Sequence, residues 1–323
     1  MWATFRGTMT NGSQLSRVIV VPRNGYVNRL QTWASAAILA DNWNAPLDVL
    51  WETEDVAPTA LSDLVDVTQL QPGVVTSSEV TEVLGSAHQQ MPRYLSIDSH
   101  RGFAFLAGHD RGEQVFMDAL SAAVLLDSSI NTVVIVAGGK FQLPDQVDFN
   151  SRRRACYQDL PWQPSIRTQV DHFVEQVPAY VGLHIRETDR STDAPSRRMI
   201  DRSLRRISDA TQIQDVFIAA DTATARDRWS KRVSDLGMTP WSESDAVLDR
   251  TDPRAGHAAI ADWLTLGNAR GLVFSSASSF GQEAAVMCGD PELTYALRAG
   301  STHRLLRSAR RISGNGLRRL GIR

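Results

Sequence analysis

Lysine, cysteine and long apolar runs are what this chain has least of. Of its 34 cationic side chains only Lys140 and Lys231 are lysine. The rest are arginine, which reads as genomic base composition and needs no function to explain it. The two cysteines, Cys156 and Cys288, stand far apart and follow no metal-ligand spacing. Free thiols in a reducing compartment are expected. No stretch approaches the ~20 apolar residues of a membrane-spanning helix. Strong charge of one sign is also missing: the formal net charge is −2 over 323 residues. That removes the case for a dedicated nucleic-acid binder. The opening MWATFRGTMTNGSQ has no apolar core and is expected to be a loose leader, not a signal peptide. A cytoplasmic protein follows from these absences.

One local absence is different in kind. Residues 301–323, STHRLLRSARRISGNGLRRLGIR, contain no acid and many arginines. Leu305, Leu306, Ala309 and Ile312 recur there at helical spacing. Two readings stay open: a final helix packed back on the protein, or a basic interfacial helix giving peripheral contact with the inner face of a membrane.

What is present is an alternation of strand and helix. RVIVVP (17–22) is an apolar, β-branched strand, and RNGYVN turns into a helical pattern from Arg29 to Asn42. LDVLWE (47–52) is the next strand. Strand, Gly turn, helix, strand is a βαβ unit, which implies a parallel sheet. From 55 to 110 the signals are short and broken by Pro and Gly. A helix over 113–127 and a strand over 131–139 restore the rhythm. Pro144, Pro161, Pro164 and the cluster Arg152, Arg153, Arg154 suggest a crossover in 140–165. Beyond it, helices near 165–177, 196–210, 222–236 and 258–269 alternate with strands at 179–186, 215–221 and 271–276. A last helix begins in SSFGQEAA. The expected class is α/β, with two doubly wound halves. The boundaries are a leader at 1–16, a first domain at 17–160, a second at 161–300 and the basic tail at 301–323.

Three strand ends of the second half carry polar groups, and in open α/β sheets ligands bind at the carboxyl ends of strands. In AYVGLHIRETDR (179–190), His184 and Arg186 alternate with Leu183 and Ile185 and so leave one face together. Arginine suits a diphosphate because its fixed fork grips anionic oxygens bidentately. Asp221 ends DVFIAAD, either as a site residue or as the N-cap of the next helix. In SSASSFGQ, Ser278 or Ser279 caps a helix, with Gln282 at capping-box spacing from Ser279. That helix start also offers free N–H groups and a positive dipole end to phosphate. Asp262 lies inside the apolar helix AAIADWLTLGNA, where it either meets solvent or accepts N1–H and the 2-amino group of a guanine edge.

Taken in order, VGLHIRETDR, DVFIAAD and IADWLTLGNARGLVFSSASSFGQEAA resemble the nucleotide-sugar half of GDP-fucose-dependent fucosyltransferases. These are the α1,6-fucosyltransferases and the protein O-fucosyltransferases. The first motif of those enzymes, His-x-Arg-Arg-x-Asp-Lys, is matched at His184, Arg186, Asp189 and, conservatively, Arg190. It is departed from at Glu187. NGYVNRLQTWASAAILA likewise resembles their opening Gly-x-x-Asn-Arg-Leu turn. The resemblance covers about 120 residues of the second half and some 25 near the start. It implies a GT-B-like fold, two Rossmann-like domains with parallel sheets facing a central cleft. The first domain is then on the acceptor side and the second binds the nucleotide sugar.

By that resemblance Arg186 grips the β-phosphate, and His184 and Asp262 contact the guanosine. Ser278 and Ser279 meet the diphosphate, Asp221 is the acidic second motif, and Asn28 and Arg29 edge the cleft. The implied activity is inverting, metal-independent transfer of a sugar, L-fucose from GDP-fucose, to a hydroxyl of a glycan, glycolipid or other acceptor, with no cofactor. Asp193 and Glu187 are the candidate bases. An alternating strand sends Glu187 to the face opposite Arg186. The alternatives are a GT-B transferase using GDP-mannose or a UDP-sugar, and an inactive nucleotide- or glycan-binding protein of the same fold.

Overall fold

The computed structural model describes residues 15–70, 93–98, 102–108, 113–141, 148–187, 195–243, 251–288 and 290–298. Asp189, Arg190, Asp193 and the basic tail lie outside these residues. The chain forms two compact units, one of residues 1–166 with 249–260, the other of 167–248 with 261–323. The boundary expected near 160 thus falls after Ile166, and the first unit also takes a short piece that the sequence had assigned to the second half.

The first unit contains β1 (Arg17–Pro22), α1 (Tyr26–Asn42), β2 (Leu47–Val49), β3 (Arg93–Asp98), β4 (Phe103–Gly108), α2 (Glu113–Leu126), β5 (Thr132–Ala137) and α3 (Phe149–Asp159). Its sheet has the order β2-β1-β5-β4-β3. All neighbours are parallel except the hairpin of β3 with β4. After their first residues, Arg17 and Thr132, β1 and β5 are apolar and buried throughout, as a sheet covered on both faces requires. Helix α1 begins three residues before its expected start, because Gly25 is its N-cap and Asn24 turns the chain at a φ of 69°. The hairpin falls in the stretch where the sequence showed no clear element.

The arginine cluster of 152–154 is not in a connecting loop but in helix α3. Phe149, Arg153, Cys156 and Tyr157 form its buried stripe. An arginine occupies one apolar position of that stripe, its guanidinium 4.7 Å over the Phe149 ring, which hid the helical period. Arg152 meanwhile bonds Asp41 and Asn42 of α1.

Helix α4 (Pro164–Gln176) leads into the second unit, which holds β6 (Val181–Ile185), α5 (Arg197–Thr211), β7 (Asp215–Ala220), α6 (Ala223–Asp235), β8 (Thr239–Trp241), the part of α7 (Ala255–Gly267) from Ala261 on, β9 (Gly271–Ser275), α8 (Ser279–Met287) and β10 (Thr294–Leu297). The order is β10-β9-β6-β7-β8, parallel throughout. The short edge strands β8 and β10 were not foreseen. One face of β6 sends Val181, Leu183 and Ile185 into a core with Ile200, Leu204 and Ile207 of α5 and Trp229 and Val233 of α6. Gly182 and His184 face the other way.

Gly182 lets a helix settle on that second face. A Cβ there would lie 2.8 Å from Leu272 and 3.0 Å from Leu266 of α7. Gly281 does the same for α8, where a Cβ would meet the Phe274 ring at 2.5 Å. Each glycine brings a helix closer to the sheet than any side chain would allow.

Candidate functional site

The carboxyl ends of β6, β7 and β9 carry the polar groups. His184 is buried, 7% exposed, and stacks on Phe280 of α8 with centroids 4.8 Å apart and planes at 17°. Its Nδ1 has no hydrogen-bond partner among the described residues. Burial, then the Arg186 guanidinium, push its pKa down to about 3, and Asp221 offsets them only in part. The ring is therefore neutral near pH 7, with a polar atom left for something other than protein.

Asp221 ties two strand ends together. Its carboxylate accepts the Glu187 N–H at 2.9 Å, and its own N–H reaches the Ile185 carbonyl at 3.3 Å. It is not the helix cap: Thr222 caps α6, accepting the Ala225 N–H at 3.1 Å. Asp221 thus fixes the backbone just past Arg186, and its charge acts on His184.

Glu187 is not brought to this site. Its carboxylate bonds Arg228 and lies 3.4 Å from the Trp229 indole nitrogen, both on α6. Alternation past the strand end sends it to the face opposite His184, so as a catalytic base it is spent on a structural pair.

Ser278 is the N-cap of α8, buried, its hydroxyl accepting the Gly281 N–H at 3.4 Å. The expected box between Ser279 and Gln282 does not form, because the helix begins one residue earlier than that pairing needs. Gln282 instead donates to the Ser276 carbonyl at 2.7 Å. Ser279, half-buried, opens the helix, whose first N–H groups and positive dipole end stand at the end of β9.

Register places Asp262. Leu266 meets Gly182, and Asp262 is one helical turn earlier on the same face of α7. Asp262 therefore lies on the face of α7 that packs beside Gly182. It is half-buried and makes no hydrogen bond among the described residues. Burial, then Glu243, push its carboxyl up to about 7, with Arg226 acting in the opposite sense. Glu243 is itself held by Gln169 at 3.0 Å. The sequence reading missed both Glu243 and Arg226, since neither lies in a motif.

In the first unit the two predicted residues part ways. Asn28 is half-buried in the first turn of α1, and its carbonyl accepts the Thr32 hydroxyl at 3.1 Å. Arg29 is fully buried. Its Nε donates to the Asn24 carbonyl at 2.8 Å and Nη1 to that of Glu52, while Nη2 lies 3.1 Å from Glu54. Its guanidinium is 5.0 Å from the Trp51 ring centroid. Arg29 thus staples the loop after β2 through Nε and Nη1, while its buried Nη2 pairs with Glu54 by charge and makes no hydrogen bond among the described residues. Burial lowers its pKa. A cavity of about 100 Å³ in this unit is lined by Leu30, Trp33, Cys156 and Tyr157 among others and has no cationic side chain, so it is no phosphate site.

Among the described residues no cluster of His, Cys, Asp and Glu is arranged to hold a metal, and no helix is long and apolar enough to cross a membrane. No protein-family model matches the sequence, and no curated protein matches it by sequence. Its fold, however, is shared with solved fucosyltransferases. The NodZ α1,6-fucosyltransferase soaked with GDP-fucose aligns with a TM-score of 0.55 and 16% identity over 84% of this chain and 93% of that one. The NodZ structure from Bradyrhizobium gives 0.55 and 17%, over 84% and 94%. A FUT1 variant of Arabidopsis thaliana in complex with GDP gives 0.60 and 12%, over 91% and 73%, and POFUT1 with GDP-fucose gives 0.53 and 12%, over 90% and 99%. At such identities the likeness is one of fold, an α/β fold with two largely parallel sheets.

Proposed function

We propose that the protein is an inverting glycosyltransferase of the GT-B kind that transfers L-fucose from GDP-fucose to a hydroxyl of a glycan, glycolipid or other acceptor, without a metal. The observation that carries this reading is the pairing of His184 and Asp262. His184 is buried at the carboxyl end of β6 with Nδ1 unpartnered, and Asp262 lies on the helix face that packs beside Gly182 of the same strand with no hydrogen bond to its carboxyl among the described residues, in a fold whose solved examples hold GDP or GDP-fucose. A guanine edge presents N1–H and a 2-amino group to one carboxylate, a bidentate match for Asp262. Neutral His184, stacked on Phe280, lines the nucleoside.

In the reaction the acceptor oxygen attacks the anomeric carbon while the bond from that carbon to the β-phosphate oxygen breaks. GDP departs carrying the new negative charge. Arg186 and the N-terminus of α8 at Ser278 and Ser279 stabilise that charge as it develops, which is the main catalytic contribution open to a metal-free site. Asp221 holds the turn after Arg186 in place. With Glu187 spent on Arg228, Asp193 is the remaining candidate to accept the acceptor's proton. Asn28, at the start of α1, serves the acceptor side.

The test is a thermal-shift panel of GDP, UDP, ADP and CDP, run in EDTA and again with magnesium. A ligand at 100 times its Kd stabilises by about 2.7 kcal/mol, so GDP is expected to raise the melting temperature clearly above the other three. Equal shifts for all four remove the guanine assignment. Slow release of GDP from GDP-fucose then separates an enzyme from a binding protein.

A further inference from the structure

Helix α5 carries charges that its own stability disfavours. Arg197, Arg198, Arg202, Arg205 and Arg206 are all exposed, while Ile200, Leu204 and Ile207 fill the opposite stripe and enter the core. Arg197 and Arg198 sit in the first turn, at the positive end of the helix dipole, where a cation is unfavourable. Arg198 with Arg202, Arg202 with Arg205, and Arg202 with Arg206 are neighbours three or four apart, and each such like-charge pair is repulsive. The acids of the helix give little relief: Asp201 is held by Arg232 of α6 through contacts of 3.2 and 2.5 Å, and exposed Asp209, one turn beyond Arg205, forms no ion pair among the described residues. Arg206 lies 5.9 Å from the centroid of the Tyr295 ring of β10. The other four have no acidic partner among the described residues.

A genome rich in arginine codons explains arginine over lysine. It does not explain five exposed on one helix of a chain whose net charge is −2. Local repulsion kept without a structural return marks a binding surface. On the next helix exposed Lys231 stands between exposed Asp227 and Asp235, so the uncompensated charge is that of α5. Beyond β10 the sequence adds seven arginines between 301 and 323 and no acid.

We propose that the exposed face of α5 is a docking surface for an anionic lipid bilayer. From Arg198 to Arg206 the stripe runs about 12 Å along a straight helix, so several guanidinium groups meet a flat surface together. No aromatic side chain among the described residues is exposed, which leaves a nucleic-acid strand no platform for its bases. The sequence after β10 instead interleaves its arginines with Leu305, Leu306, Ile312, Leu317 and Leu320, a composition suited to a headgroup region. The surface does not depend on the identity of the sugar donor.

Full-length protein is tested by co-sedimentation with phosphatidylcholine vesicles, with and without phosphatidylserine, beside the triple variant Arg198→Gln, Arg202→Gln, Arg205→Gln. Each arginine at an anionic surface is worth about fivefold in partitioning. Binding is expected on phosphatidylserine vesicles alone, to weaken with salt, and to fall on the order of a hundredfold in the variant. The variant's melting temperature is expected to equal or exceed that of the native chain, since repulsion has been removed. A triple variant that binds vesicles as well as the native chain overturns the proposal, as does one that melts earlier. Absence of vesicle binding overturns it too, and so does binding of single-stranded RNA, lost in the variant, in place of vesicles.

Discussion

Replacing Asp262 by Asn is expected to move stability and nucleotide binding in opposite directions. The carboxyl's pKa lies near 7 in the folded chain against an ordinary 3.8. The folded state therefore holds the proton more tightly than the unfolded one. From about pH 4 to 7 the unfolded chain gives up that proton while the folded chain keeps it, so stability falls as pH rises, and above pH 7 the loss is constant. At 1.36 kcal/mol per pH unit the cost of the ionised group is on the order of 4 kcal/mol, and partial exposure reduces it to about 2–3 kcal/mol. Asn fills the same space without the charge. Asp262→Asn is thus expected to be about 2–3 kcal/mol more stable than the native chain near pH 8, and equal to it near pH 4. GDP affinity is expected to fall by about 2–4 kcal/mol, roughly thirty- to seven-hundredfold, because two hydrogen bonds to a charged acceptor are lost. Urea unfolding across roughly pH 4 to 9 and calorimetric titration with GDP measure the two effects. An Asn variant no more stable than the native chain near pH 8 refutes the strain assigned to this carboxylate. Unchanged preference for GDP over UDP refutes its role in reading the base.

Arg186→Lys keeps the charge but not the bidentate fork, so turnover with GDP-fucose is expected to drop by orders of magnitude with little change in melting temperature; near-normal turnover would reduce Arg186 to a surface ion pair. Transfer and GDP binding are expected to persist in EDTA, and a strict requirement for manganese or magnesium would show the diphosphate to be misplaced. Arg29→Ala is expected to cost about 1–3 kcal/mol of stability by leaving the Asn24 and Glu52 carbonyls short of a donor, Glu54 keeping Arg23, read by urea unfolding. A variant that folds normally and only binds donor less well would place Arg29 at the site. Gly182→Ala forces a methyl against Leu272 and Leu266 and is expected to cost about 1–3 kcal/mol; an unchanged urea midpoint would mean that α7 is free to move away.

The alternation of apolar strands and amphipathic helices was legible because each long element carries its own period. RVIVVP became β1 at the expected residues, and the helix over 113–127 ends within a residue of expectation. The three-residue strands β2 and β8 are too short to show a period, and the β3–β4 hairpin lies among breakers. At the site, His184, Asp221 and Ser278 could be placed because strand ends and helix caps are local features. What Glu187 and Arg29 do could not be read locally. Glu187 is claimed by Arg228, 41 residues on, and Arg29 by a loop beyond the next strand. Glu243 and Arg226 lay in no motif, and only packing brings their charges to Asp262.

The anchor of residues 251–260 bears on how the chain is made. Thr59 accepts the Gly256 N–H at 3.1 Å and donates to the carbonyl of Pro253, 194 residues downstream, while Tyr26 bonds the same hydroxyl at 2.5 Å. Thr59 therefore waits for its partners until three of the five strands of the second sheet have been synthesised. Closing so long a loop is entropically slow but, once made, only modestly more costly than closing a short one. Neither unit is a contiguous stretch of chain, so a cut after Ile166 deprives the first of its last segment and leaves that segment stranded in the second. On the ribosome the first unit emerges early and is completed late, and until then the hydroxyl of Thr59 has only that of Tyr26.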